Sequence, residues 1–346
     1  MKRFAILICL GLLLAACGAG ATTPDPGLIQ LQTPKPVILD TDMAHDDMFA
    51  ALFLLSHPSV DLRAITVSGT GEAHCEPGVH HALGFVALSG RKGMPVACGR
   101  ETPLAGDHEF PAAWRKAVDE AYGVSIPAGE AASSLSAAEL MVDTIQAADE
   151  PVTIIVIGPL TNLAEAIRSE PEITGNIKEI YIMGGAVDVE GNVGTSGAGI
   201  QNRYAEWNIY IDPVAANIVF RSGVPITLVP LDATREVPVT RAFYKALEKN
   251  RNTPAADLVY RLLTANLDFV DSGGFQFWDS LTSVISTDPG IATFKEMRLK
   301  VVEDEGPQSG RTMGSLDGSM VKVAISARRR AFETILLTVL NRGNQR

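Results

Sequence analysis

Two kinds of segment alternate along this chain. Short apolar runs rich in Val and Ile end in Gly or Asp, and longer stretches with helical spacing fill the gaps. "PVILD" (36–40), "LRAITVSG" (62–69), "PVTIIVIG" (151–158), "IKEIYIMGG" (177–185) and "PITLVPLD" (225–232) are β-rich. The first two read as buried strands and the other three as further strands. Helices are predicted at Met48–Leu55 and roughly over 134–147, 160–169 and 212–222. Residues 235–290 read as mainly helical, and 297–346 as a closing strand pair with a last helix. The alternation predicts an open α/β fold, a mostly parallel central sheet with flanking helices. There is no internal repeat and no linker, so 36–346 is expected to be one domain. Sites in such sheets lie outside the carboxyl ends of strands. Here those ends carry an aspartate cluster, Gly158-Pro159 and Met183-Gly184-Gly185.

Charge and cysteine content narrow the setting. A formal net charge of -11 argues against nucleic acid as a partner, because phosphate binding needs a basic face. The first residues are not part of the fold. Lys2 and Arg3 precede an apolar stretch that ends in Leu14-Ala15-Ala16-Cys17, the pattern of a secretory signal. That ending resembles a bacterial lipobox, which implies a signal peptide over 1–16, a lipid on Cys17 and a tether over 17–35. The alternative is an ordinary cleaved signal with a chance cysteine. The lipid reading implies export and anchoring to the cell envelope through the N-terminal lipid only. No other apolar run approaches the ~20 residues of a membrane helix. Cys75 and Cys98 then remain as one pair in an oxidising compartment, where a disulfide persists. Two buried thiols in neighbouring elements are the other possibility.

"VILDTDMAHDDMFAAL" (37–52) concentrates Asp40, Asp42, Asp46 and Asp47 just after a strand. Four negative charges that close destabilise the fold unless a cation sits among them. Clustered carboxylate oxygens suit a hard divalent ion. Helix capping accounts for one or two of them. A phosphatase of the Asp-x-Asp type would explain "DTD" but gives no reason for His45-Asp46-Asp47.

The motifs "DTDMAHDDMFAAL", "VIGPLTNLAEAI", "IYIMGGAV" followed by "GN", "AEWNIYIDPVAANIVF" and "FWDSLTSV" resemble, in order, those of the nucleoside hydrolases. The resemblance runs from about residue 36 to 340. It implies a calcium-dependent N-ribohydrolase that cleaves ribonucleosides to ribose and free base, acting on small molecules as a homodimer or homotetramer. Carried over residue by residue, it makes Asp42 a calcium ligand and the general base that activates a calcium-bound water. Asp47, the backbone carbonyl of Ile157 and Asp279 complete the Ca²⁺ ligands. Asp46, Asn192, Glu206, Asn208 and Asp279 are implied to bind ribose, and Met183 to line the pocket. Asp40 buttresses the loop. The chemistry is consistent: a cation makes water more acidic, a carboxylate takes the proton, and the sugar passes through an oxocarbenium-like state.

The chain departs from the family in places. Met43 and Ala44 stand where the family has Pro-Gly, and Ala tolerates positive φ less well than Gly. Thr70 replaces a family Asn, with Glu72 and His74 just after it. An insertion before Glu206 makes Asn202 a competitor of Asn192. Members that cleave inosine and pyrimidine nucleosides carry His before the last Asp; this chain has Trp278 and no His after His108. The purine-preferring branch has Trp there, which implies an aromatic stack on the base, with Trp114 as the second ring. Core packing is the competing role for Trp278, and a surface or interface position for Trp114. Trp207 is expected in the core and His45 in local packing. The "HCEPGVHH" run (74–81) is a weak metal motif.

Two functions follow. One is a lipid-anchored hydrolase favouring purine nucleosides, with pyrimidine or modified nucleosides as the alternative. The other is a nucleoside- or ribose-binding lipoprotein without turnover. A complete metal set with Asp42 favours the enzyme.

Overall fold

A computed structural model describes residues 33–342. The signal segment, Cys17 and the tether up to residue 32 lie outside the described residues. Nine strands form one sheet: β1 Lys35–Thr41, β2 Val60–Val67, β3 Val96–Cys98, β4 Val152–Val156, β5 Ile177–Met183, β6 Ile226–Val229, β7 Ala292–Val301, β8 Thr312–Gly314 and β9 Ser319–Ala327. Their order is β3-β2-β1-β4-β5-β6-β9-β7-β8. Strands β1 to β6 pair in parallel, β9 joins β6 in parallel, and β7 runs antiparallel to both β8 and β9. The sheet is therefore mostly parallel, as the alternation predicted.

Adjacent strand residues feed opposite faces. Leu39, Ile155 and Met183 enter one apolar core, while Ile38, Ile154 and Ile182 enter the other. This double burial is why the strands read as continuous apolar runs. The helix His45–Ser56 is apolar all round, with every residue from Asp46 to Leu55 buried, and it packs against the helix Trp278–Thr287. β1, β4 and β5 are neighbours, so Asp42, Ile157 and Met183 stand side by side at their carboxyl ends.

The structure adds elements that the pattern missed. β3 and β8 are three residues each, too short to show a period. The helix Cys75–Leu88 carries Pro77, Gly78 and Gly84, all poor helix formers. Gly78 and Gly84 are close-approach positions: a Cβ would stand 2.8 Å from Val67 Cγ1 and 2.4 Å from the Pro127 carbonyl oxygen. Where a strand was expected up to residue 232, β6 stops at Val229 and Leu231–Thr234 is helical after Pro230. The closing strand pair is a set of three. Cys75 and Cys98 are joined by a disulfide, with Cα atoms 5.5 Å apart. Among the described residues no helix is long and apolar enough to cross a membrane.

Candidate active site

The aspartate loop leaves β1 at Thr41. The left-handed residue in it is Met43, at φ 60, and Ala44 is at φ -56. The strain expected at the missing glycine thus falls on Met43, whose side chain is fully buried in the core. Thr41 fastens the turn: its hydroxyl donates to Asp47 Oδ1 at 2.5 Å and accepts from Met43 N at 3.1 Å. Asp42 N donates to the same Asp47 oxygen at 3.1 Å. From the neighbouring loop, Glu72 N donates to Asp42 Oδ2 at 3.0 Å. That approach requires Gly71, where a Cβ would lie 2.0 Å from the Asp42 Cβ. Asp46 Oδ2 accepts from Asp279 N at 3.1 Å. Asp46, Asp47 and Asp279 all lie in first helical turns, where the dipole favours negative charge. Asp40 is structural, as expected: its Oδ1 accepts from Thr66 Oγ1 at 2.7 Å and Asn162 Nδ2 at 2.8 Å.

One oxygen from each of Asp46, Asp47 and Asp279 lies within 4.8 Å of the others, a cluster that could hold a metal ion. Asp47 Oδ2 and Asp279 Oδ1 are buried without a hydrogen-bond partner. No Lys or Arg lines the cavity at this point. Burial first, and then the neighbouring carboxylates, raise Asp47 and Asp279 well above the usual carboxylate range. Burial raises Asp42 to about 6, with the Glu72 amide pulling the other way. All-oxygen donors with unpaired buried atoms fit a hard cation. Of the four expected ligands, Asp47 and Asp279 are in this cluster and Asp46 joins them. The Asp42 carboxylate is beside it, held by Glu72. The Ile157 carbonyl accepts from Asn208 Nδ2 at 3.1 Å, which leaves its second lone pair for another partner.

A stability effect follows. Burial holds Asp40 and Glu206 at about 7 and Asp42 at about 6 in the folded chain, against ordinary values of 3.8 for Asp and 4.5 for Glu. The folded state then binds more protons than the unfolded one. Stability from these groups is complete below their unfolded values and is lost as pH rises through the folded ones. Chelator-treated protein should melt several degrees lower at about pH 7.5 than at about pH 5, and added calcium should restore more at the higher pH. A metal-free melting temperature that rises with pH across that window would contradict this.

The sugar-binding residues that the resemblance implies line a cavity of about 550 Å³. Glu206 caps the helix Trp207–Ile211: its Oε1 accepts from Asn208 N at 3.0 Å, and its Oε2 from Gly185 N at 2.9 Å and Ile209 N at 3.2 Å. Asn208 Nδ2 also reaches the Met183 carbonyl at 3.3 Å. Asn192 lines the cavity and accepts from Trp207 N at 3.2 Å. Asn202 does not line it; its amide binds the Ser309 carbonyl at 2.7 Å and its oxygen the amides of Tyr204 and Ala205. Of the two, Asn192 lines the cavity and Asn202 does not. Thr70 is buried in a hydroxyl chain with Ser68 and Thr161.

Aromatic rings line the same cavity. Trp278 and Trp114 both line it, in separate clusters. Trp278, Phe269, Phe275 and His45 form one, with His45 stacked on Phe275 at 4.3 Å between centroids. Trp114 meets Trp207 edge-on at 5.4 Å, and Phe110 stacks on Trp207 at 5.0 Å. Trp207 is buried as expected, and it also reaches the cavity wall. Glu72 lines the cavity, whereas His74 is exposed and pairs with Asp119 at 2.7 Å. Sequence reasoning missed Phe110, Phe269 and Tyr122. Tyr122 carried a signal of a kind, as an aromatic before Gly123 outside any periodic segment.

Comparison with known proteins agrees with this geometry. Residues 37–334 match the family described as inosine-uridine preferring nucleoside hydrolase. A pyrimidine-specific ribonucleoside hydrolase RihA from Shewanella sp. (strain ANA-3) is 36% identical over 233 residues, 66% of this chain and 69% of the relative. The purine-preferring ribonucleoside hydrolase of Gardnerella vaginalis superposes with a TM-score of 0.76 at 27% identity, covering 89% of this chain and 99% of that one. The fold is also that of the Bacillus anthracis inosine-uridine preferring nucleoside hydrolase, with a TM-score of 0.78 at 24% identity over 89% of this chain and 99% of that one. With the aspartate loop and the match over 37–334 in agreement, this chain belongs to the inosine-uridine preferring nucleoside hydrolase family.

Proposed function

We propose that the protein is a calcium-dependent hydrolase of ribonucleosides that favours purine bases. The observation that carries this reading is the lining of the cavity. Buried carboxylates with unpaired oxygens and two separate aromatic clusters line it together, with no His before Asp279. Calcium, held by Asp47, Asp279, the Ile157 carbonyl and Asp42 or Asp46, would supply Lewis-acid polarisation of water and a charge for ribose hydroxyls to share. Asp42, fixed by the Glu72 amide, accepts the proton of the attacking water. Asp46, Asn192, Glu206 and Asn208 hydrogen-bond the ribose hydroxyls. The C1′–N bond breaks, its electron pair stays on the base, and hydroxide adds to C1′. The proton taken by Asp42 balances the one that the base acquires. Met183 closes the floor.

Trp278 and Trp114 flank the base. A π-face attracts positive charge, so a stacked purine protonates more readily at its imidazole nitrogen. The pyrimidine-specific name of the Shewanella relative favours the second reading, pyrimidine ribonucleosides, and a panel of nucleosides separates the two. Inosine, adenosine or guanosine should exceed uridine and cytidine. Base–aromatic stacking is worth about 1–3 kcal/mol, so Trp278→Ala should cost roughly ten- to a hundredfold on purine nucleosides. The loss should be much smaller on 4-nitrophenyl riboside, whose leaving group needs no proton. Wild-type preference for uridine, or equal losses on both substrates, would reject the purine reading. Export with a lipid on Cys17 belongs to the same proposal, and the Cys75–Cys98 disulfide supports an oxidising compartment.

A further inference from the structure

The cavity contains a hydroxyl that no role above uses. Tyr122 lines it, half-buried, with its ring 5.4 Å from that of His45. Its backbone is left-handed, at φ 54 and ψ 29, between Ala121 at φ 46 and Gly123 at φ 77. A bulky residue in that region is an outlier, and it persists only where its surroundings fix it. They do so here. Buried Arg115 donates to the Gly69 carbonyl at 2.9 Å and the Ala73 carbonyl at 3.4 Å. Asp119 accepts from His74 N at 2.9 Å, and His81 Nε2 meets the Val118 carbonyl at 3.0 Å. The helix Ala112–Asp119 is thus clamped onto the loop that holds Asp42, and the turn after it carries Tyr122 over the cavity. Among the described residues the Tyr122 hydroxyl has no hydrogen-bond partner. Burial, then the charges of Glu72, Asp46, Asp42 and Asp47, raise the phenol well above its usual value and keep it protonated. It is a donor without an acceptor, in the cavity that the carboxylates and the aromatic rings also line.

We propose that Tyr122 donates a hydrogen bond to the departing base, and that the left-handed turn Ala121–Gly123 is what aims it. This rests on the hydrolase reading, not on the purine preference, because uracil also offers acceptor oxygens. As the C1′–N bond breaks, negative charge grows on the base, and the phenol O–H stabilises it while keeping its own proton. The chain has no His before Asp279, and Tyr122 lines the same cavity as Trp278. A donor aimed at developing charge matters more in the transition state than in the ground state.

Tyr122→Phe keeps the ring and removes only the hydroxyl. With saturating calcium, kcat on the preferred ribonucleoside should fall about ten- to a hundredfold with KM nearly unchanged. Turnover of 4-nitrophenyl riboside should stay within about threefold, and the melting temperature within about 2 °C. Equal losses on both substrates, or no loss on either, would overturn the proposal. Failure of the hydrolase reading itself would show separately, as a wild-type protein that releases no ribose from any nucleoside.

Discussion

Replacing Asp47 by alanine is expected to remove the bound metal and nearly all turnover. Asp47 Oδ1 is held by the Thr41 hydroxyl and the Asp42 amide, which leaves Oδ2 buried and unpaired at the centre of the cluster. That is how a ligand looks when one oxygen orients it and the other is kept for a cation. The substitution removes one anionic donor from a site needing about 6–8 oxygens. It also strands the Thr41 and Asp42 donors, each worth about 1–3 kcal/mol when buried unsatisfied. Elemental analysis after dialysis should find the variant metal-free, with a melting curve separating metal loss from unfolding. An unchanged metal stoichiometry would reject the ligand assignment.

Much of this site is legible in the sequence because its parts sit at strand ends. The apolar runs mark β1, β4 and β5 and put the aspartate cluster, Gly158-Pro159 and Met183 at their carboxyl ends, while the roles of Asp42, Ile157 and Met183 come from the resemblance. Asp279 and Trp278 are legible only through the "FWDSLTSV" resemblance, since their place beside Asp46 depends on a helix more than 230 residues away along the chain. The elements that escaped are those whose local signal is weak. The helix Cys75–Leu88 carries Gly78 and Gly84 because its neighbours stand too close for a Cβ there, and with Pro77 they weaken its helical signal. Tyr122 escaped because its position is set by Arg115 and Asp119, which reach across to another loop, not by any spacing in its own segment. The missing glycine drew attention to Ala44, yet the left-handed residue is Met43: tertiary packing of a fully buried side chain outweighs the local cost.

The proposed hydrolysis depends on the Asp42 carboxylate taking a proton from water as a ribonucleoside is cleaved. Asp42→Asn tests it with little change of shape, because an amide oxygen can still accept from Glu72 N but cannot act as the base at neutral pH. General base catalysis contributes about 10²–10⁴-fold, and that loss should remain when calcium is saturating. The measurement is the release of free ribose and free base from inosine by wild type and variant side by side, with bound calcium determined in the same samples. The wild type should yield ribose and hypoxanthine in equal amounts, and the calcium-loaded variant should be slower by about a hundredfold or more. A calcium-loaded variant that keeps more than about a tenth of wild-type turnover would contradict the assignment of Asp42 as the base.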